Sequence, residues 1–207
     1  AGACEILKLG LSEIRERLNQ MFADHSLIRP HPTVVQLPVH ARNEQTIAEA
    51  LSRISLTASD LPPIKREIAV GWFEERTSLE LAPAQREAII NALANKVSII
   101  TGGPGTGKTT LLRGIVMILK AKQARVMRAS PTGRAAKRLA EATGGYAQTI
   151  HRLLGFDPAK NGFVANESNP LRADFIVVDE CSMLDTALAA ALFRAIPHTS
   201  HLLLVGD

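Results

Sequence analysis

At 207 residues the chain has room for one medium domain and a small companion. Its 46% hydrophobic and 21% charged residues exclude general disorder, and no apolar run is long enough for a membrane-spanning helix. Lysine and arginine exceed the acids by only 24 to 20, too few to establish a polyanionic partner, and Cys4 and Cys181 lie too far apart for a disulfide framework or a zinc site.

The two cysteines suit a reducing cytoplasm, and the N-terminus lacks the basic-then-apolar order of a secretory signal. A cytoplasmic protein without membrane contact is the expectation. Ala1 in place of Met, and an apolar run that stops on Asp207, read as cuts in a longer polypeptide.

In chain order, the first predicted element is an amphipathic helix: Ser12 can cap it, Glu13 suits its positive end, and Ile14, Leu18, Met21 and Phe22 recur at helical spacing. Leu27-Ile28-Arg29 and Thr33 to Leu37 then predict two short strands around Pro30-His31-Pro32. Helix followed by ribbon is a winged-helix-like arrangement. It lacks a basic recognition helix, so packing or protein contact is favoured over DNA binding. Two further helices follow, one marked by Glu44, Ile47, Leu51 and Ile54, the other by Ile64, Ile68, Trp72 and Phe73. A small, mainly helical module over 1–76 and a second domain over 77–207 are therefore expected.

From Pro83 the pattern changes. A helix over Gln85 to Leu93 leads into four apolar strands, Val97 to Thr101, Arg125 to Ala129, Asp174 to Asp179 and His201 to Val205, with helices between. That alternation predicts an α/β fold, a parallel sheet with helices on both faces and all four strands inside it. Gly155 to Arg172, rich in Asn, Pro and Gly, reads as a surface excursion.

Gly102-Gly103-Pro104-Gly105-Thr106-Gly107-Lys108-Thr109 fits the P-loop pattern, directly after a strand and directly before a helix that opens with Thr110. Such glycines let main-chain N–H groups turn inward on phosphate oxygens, and the helix adds its positive end. Lys108 should reach the β- and γ-phosphates of ATP, and the Thr109 hydroxyl should ligate Mg²⁺. Phe175 to Glu180 is an apolar strand that ends in two acids. Asp179 should hold Mg²⁺ opposite Thr109, and Glu180 should orient or deprotonate the attacking water, which points to ATP hydrolysis rather than phosphate transfer to a hydroxyl.

Six segments appear in order: Leu81 to Ile89, the loop Gly102 to Thr110, Ser130-Pro131-Thr132-Gly133-Arg134-Ala135-Ala136, Thr149-Ile150-His151-Arg152-Leu153-Leu154-Gly155, Asp179 to Asp185, and Leu204-Val205-Gly206-Asp207. Together they resemble the RecD-like branch of superfamily 1 DNA helicases, the relatives of the exonuclease V alpha subunit. The resemblance covers Leu81 to Asp207 and implies a RecA-like P-loop motor domain that couples ATP hydrolysis to movement on single-stranded DNA, in recombination or repair. By it, Gln85 reads the adenine base, an amide offering both donor and acceptor. Thr132, Arg134 and His151 fall in segments that touch single-stranded DNA; Thr132 is equally placed to be a helix N-cap, and His151 to be structural.

The resemblance further implies partner helicase or nuclease subunits and a second motor domain that supplies arginines, so these residues alone should bind nucleotide without unwinding DNA. Two other readings stay open: a nucleotide-dependent DNA-binding or regulatory P-loop module without motor activity, and a clamp-loader or initiator type ATPase. The latter does not account for Pro131-Thr132-Gly133-Arg134.

Overall fold

The computed structural model describes residues 2–103, 105–159 and 162–207, with side chains from Glu5 onward. Pro104, expected in the phosphate loop, lies outside the described residues. Two compact units divide between Thr46 and Ile47.

The first unit contains helices α1 (Gly2–Leu7) and α2 (Leu11–Ala23), an antiparallel ribbon of β1 (Ile28–His31) and β2 (Val34–Gln36), and the start of α3 (Pro38–Leu56). The expected helix-then-ribbon order is present. Its cap differs: Gly10 precedes α2, Ser12 lies within the helix, and the Glu13 carboxylate accepts the Gly10 N–H at 2.9 Å. Among the residues of α2 none is buried, and Arg29 stacks over the Phe22 ring at 4.8 Å.

The second unit is built on a five-stranded parallel sheet of β3 (Val97–Thr101), β4 (Val126–Ser130), β5 (Gln148–Thr149), β8 (Phe175–Val178) and β9 (His201–Gly206). Their order across the sheet is β3-β9-β8-β4-β5. Alternation along β8 sends Phe175 and Val177 to one face and Ile176 and Val178 to the other. The first face is covered by α4 (Arg66–Thr77), α5 (Pro83–Ala94), α6 (Lys108–Ala121) and α7 (Gly133–Thr143); the second by α8 (Ile150–Leu154), α9 (Thr186–Ala195) and the later turns of α3 through Ala50 and Ile54.

Three expectations change. The strand Val97–Thr101 is an edge, so Ile99 is 68% exposed instead of buried on both faces. The contact boundary falls after Thr46, not at 76/77, because Val70 and Phe73 of α4 bury fully in the same core as Ile89 and Ile115. The stretch 155–172 is more than a surface excursion: it holds a ribbon, β6 (Phe156–Asp157) with β7 (Gly162–Phe163), and Leu171 is buried in the core. The two-residue β5, too short to show a pattern in sequence, was not expected.

Candidate functional site

The loop 102–107 joins the carboxyl end of β3 to the first turn of α6. Gly105 (φ 79°) and Gly107 (φ 87°) are left-handed, where a residue with a Cβ loses about 1–2 kcal/mol. At Gly102 the constraint is space: an added Cβ would stand 2.7 Å from Thr106 Oγ1. A Cβ at Gly107 would run into the side-chain amide of Gln85. That amide spans two segments, its oxygen accepting the Ala82 N–H at 3.1 Å and its nitrogen donating to the Thr106 carbonyl at 3.4 Å.

Lys108 folds back over the loop. Its ammonium donates to the carbonyls of Gly102 and Gly103 and pairs with the Asp207 carboxylate, while the Thr106 hydroxyl donates to Gly103 O at 2.8 Å. Asp207 is thus joined to Lys108 across the ends of β3 and β9, neighbours in the sheet though far apart in sequence.

Asp179 and Glu180 follow the last residue of β8. The Asp179 main-chain N–H donates to Ala129 O at 3.0 Å, and its carboxylate accepts the Glu180 N–H at 3.0 Å. Burial pushes the Asp179 carboxyl above the usual range; the charges of Glu180 and Asp207 add to this, and the Glu180 N–H and Lys108 oppose it. Glu180 takes a left-handed backbone (φ 58°), uncommon for a non-glycine residue. Next to it the Cys181 thiol, pushed up to about 11 by burial, donates to the Val178 carbonyl and is disfavoured as a thiolate.

Thr109, Asp179 and Glu180 line one cavity of about 530 Å³, with Ala135 and Arg138 on its α7 side. A second cavity of about 540 Å³ lies between α4 and α6, lined by Ile64, Ile68, Trp72 and Ile118; it is apolar and holds no acid. The candidate residues Thr109, Asp179 and Glu180 are all on the first. Ser130, at the carboxyl end of β4, is fully buried, and its hydroxyl has no partner among the described residues. Strand alternation turns it to the α6–α7 side of the sheet. Ser130 opens a segment that the sequence singled out for Thr132 and Arg134, and only its burial draws attention to the serine itself.

Residues 85–207 match the AAA domain family. The chain is 34% identical to the ATP-dependent RecD2 DNA helicase of Deinococcus radiodurans over 174 residues, covering 84% of this chain and 24% of that protein. It is 35% identical to the RecBCD enzyme subunit RecD of Mycobacterium tuberculosis over 189 residues, covering 79% of this chain and 31% of the relative. The chain belongs to the AAA domain family and is RecD-like. It spans about a quarter to a third of the length of these curated relatives. The crystal structure of the UvsW helicase from bacteriophage T4 shares the fold, at a TM-score of 0.51 and 11% identity, over 72% of this chain and 62% of that one.

In this RecD-like domain the remaining candidate residues lie toward one edge of the sheet. β4 and β5 pair with Ser130 opposite Thr149, so the helices that follow them, α7 and α8, begin side by side. Thr132 caps α7, its hydroxyl accepting the Ala135 N–H at 3.3 Å, and Arg134 is exposed in the first turn. His151 is exposed on α8, its ring 6.0 Å from that of Phe156 and 5.8 Å from that of Phe163. The ribbon thus supports the histidine from one side. Among the described residues no helix is long and apolar enough to cross a membrane.

Proposed function

We propose that this chain is the nucleotide-binding part of a RecD-like motor that couples ATP hydrolysis to movement along single-stranded DNA. One observation carries the reading: Thr109, at the first turn after a glycine-built loop, shares a single cleft with Asp179 and Glu180. The main-chain N–H groups of Gly103, Gly105, Thr106 and Gly107, with the Thr110 end of the first helical turn, then face the phosphates, and Pro104 belongs to the same loop by sequence. Lys108 exchanges its contacts with Gly102, Gly103 and Asp207 for the β- and γ-phosphate oxygens. Gln85, already hydrogen-bonded to the loop, is the adenine contact.

Bound magnesium supplies neutralising charge on the phosphate oxygens. Thr109 and Asp179 are the side chains that hold it. Their chemistry fits: a hydroxyl and a carboxylate lining one cleft are hard oxygen donors, and magnesium is ordinarily held by one or two carboxylates with substrate phosphates completing its shell. Glu180, turned by its left-handed backbone away from the line of the strand, orients the attacking water as general base. Thr132, Arg134 and His151 form the single-stranded DNA contact; Arg134 grips a phosphate and Thr132 acts chiefly through the α7 cap. Partner helicase or nuclease subunits are proposed from the names of the RecBCD relatives. A motor preceded by a small helical companion remains the proposed functional division, with α4 counted in the motor because Val70 and Phe73 bury in its core.

An arginine finger from a second motor domain is worth about 10³–10⁵ in rate, so the 207 residues alone bind nucleotide and turn it over slowly, without unwinding. Calorimetric titration of ATP into the folded chain is expected to give heat that depends on magnesium and is lost in Lys108→Ala. Identical heats for wild type and Lys108→Ala refute the reading. Single-strand stimulation of ATPase in the full-length parent, absent in Glu180→Gln, separates the motor from a regulatory P-loop module.

A further inference from the structure

Away from the P-loop, α6 ends beside a second concentration of positive charge. Arg128 is in the middle of β4 and only 7% exposed; its guanidinium donates to Thr143 Oγ1 at 2.7 Å, and its Nε has no partner among the described residues. Lys120, exposed in the last turn of α6, donates from Nζ to the Gly144 carbonyl at 2.5 Å. The two heads converge on one spot. A Cβ built on Gly145 would be 2.7 Å from Arg128 Nη2 and 3.2 Å from Lys120 Nζ, so the cations are no farther apart than the sum of those distances.

Among the described residues no carboxylate pairs with either. The four ion pairs among the described residues involve Arg53, Arg86, Lys108 and Arg125, and neither Lys120 nor Arg128. The carboxyl end of α7 offers about half a negative charge against two full positive ones. A buried arginine is ordinarily paired, since an unpaired buried charge loses its hydration without compensation. Burial lowers the pKa of both groups, the repulsion from Arg128 lowers that of Lys120 further, and no carboxylate raises either. Gly144 (φ 62°) and Gly145 (φ 151°) carry no side chain over this charge and are exposed, so the approach is open to solvent.

We propose that Lys120, Arg128 and the Gly144–Gly145 turn form a second oxyanion site, which takes a phosphate group. Lys120 follows Lys108 by twelve residues of α6, about 18 Å of helical rise, so the two sites cannot share one phosphate. Inorganic phosphate and the phosphodiester of a single-stranded oligonucleotide present the same chemistry, and the site recognises it through one bidentate-capable guanidinium and one point charge.

The test is titration of the ¹⁵N-labelled Lys108→Ala chain, read at the Gly144 and Gly145 amides, so that binding at the P-loop does not contribute. Inorganic phosphate in one arm and a short oligo-dT in the other are compared with sodium chloride at matched ionic strength. Saturable shifts of both amides are expected with at least one phosphate source, weakened on the order of tenfold by Lys120→Met and by Arg128→Leu. Lys120→Met alters an exposed side chain and keeps the test valid should Arg128→Leu fail to fold. Shifts no greater than those with chloride, or undiminished in Lys120→Met, overturn the proposal. Amide shifts at Gly103, Gly105 and Gly107 in the parent with Mg·ATP report the P-loop separately, so either site can fail without the other.

Discussion

Gly114→Ala in α6 is expected to destabilise the chain, against the ordinary preference of helices. Alanine in a helix interior is about 1 kcal/mol more favourable than glycine. At Gly114, however, the added methyl would stand 3.0 Å from Ile89 Cδ1 of α5 and 3.1 and 3.3 Å from Phe73 Cε1 and Cδ1 of α4. Ile89 and Phe73 are wholly buried and have no solvent to swing into. Overpacking of this kind costs about 1–3 kcal/mol, which leaves a net loss of about 0–2 kcal/mol after the helix gain. Gly71 in α4 is the internal control: nothing lies within 4 Å of its added methyl, so Gly71→Ala is expected to stabilise by up to about 1 kcal/mol. Urea unfolding followed through the single tryptophan, Trp72 on α4, measures both at unchanged m-value. Opposite shifts in midpoint are expected, with Phe73→Leu recovering part of the Gly114→Ala loss as a coupled pair. Equal stabilisation by the two alanines would refute the close packing of α4, α5 and α6, and with it the assignment of α4 to the sheet-bearing unit.

Two further outcomes concern titratable groups. Asp179→Asn removes a carboxylate that burial already disfavours as an anion, so the chain is expected to melt at a higher temperature while Mg-dependent nucleotide heat disappears; a lower melting temperature would contradict the burial argument. His201, 4% exposed, hydrogen-bonds Asn95 O through Nδ1 at 2.9 Å and Ser59 Oγ through Nε2 at 2.7 Å. A carbonyl can only accept, so Nδ1 carries a proton; burial favours the neutral ring, whose Nε2 then accepts from the Ser59 hydroxyl. Burial lowers its pKa, so the unfolded chain takes up the proton first: stability is full above about 6.5 and declines as pH falls from there toward the folded value. His201→Gln should flatten that part of the stability–pH curve, and an unchanged slope would show that another group sets it.

The motifs were legible because they are local. A glycine-built loop between a strand and a helix constrains its own backbone, and a run such as Phe175 to Val178, apolar at every position, has no stable place except inside a covered sheet. Edges were not legible. Val97–Thr101 reads as apolar as its neighbours, and only the strand order leaves Ile99 exposed. The two-residue β5 exists because β4 offers it a ladder, and α4 joins the sheet-bearing unit because Phe73 finds Ile89 and Gly114.

By itself, then, the sequence determined the glycine-built loop, the acid pair, the four main strands and the RecD-like kinship, all of which rest on neighbours along the chain. The tertiary structure alone decided that Asp207 pairs with Lys108, that Ser130 is buried without a partner, and that Lys120 and Arg128 meet over Gly145. Parallel strands are joined by long crossovers, so Asp207 reaches Lys108 from 99 residues away, while the burial of Ser130 and the meeting of Lys120 and Arg128 depend on how α6 and α7 pack against β4, which spacing in sequence does not carry.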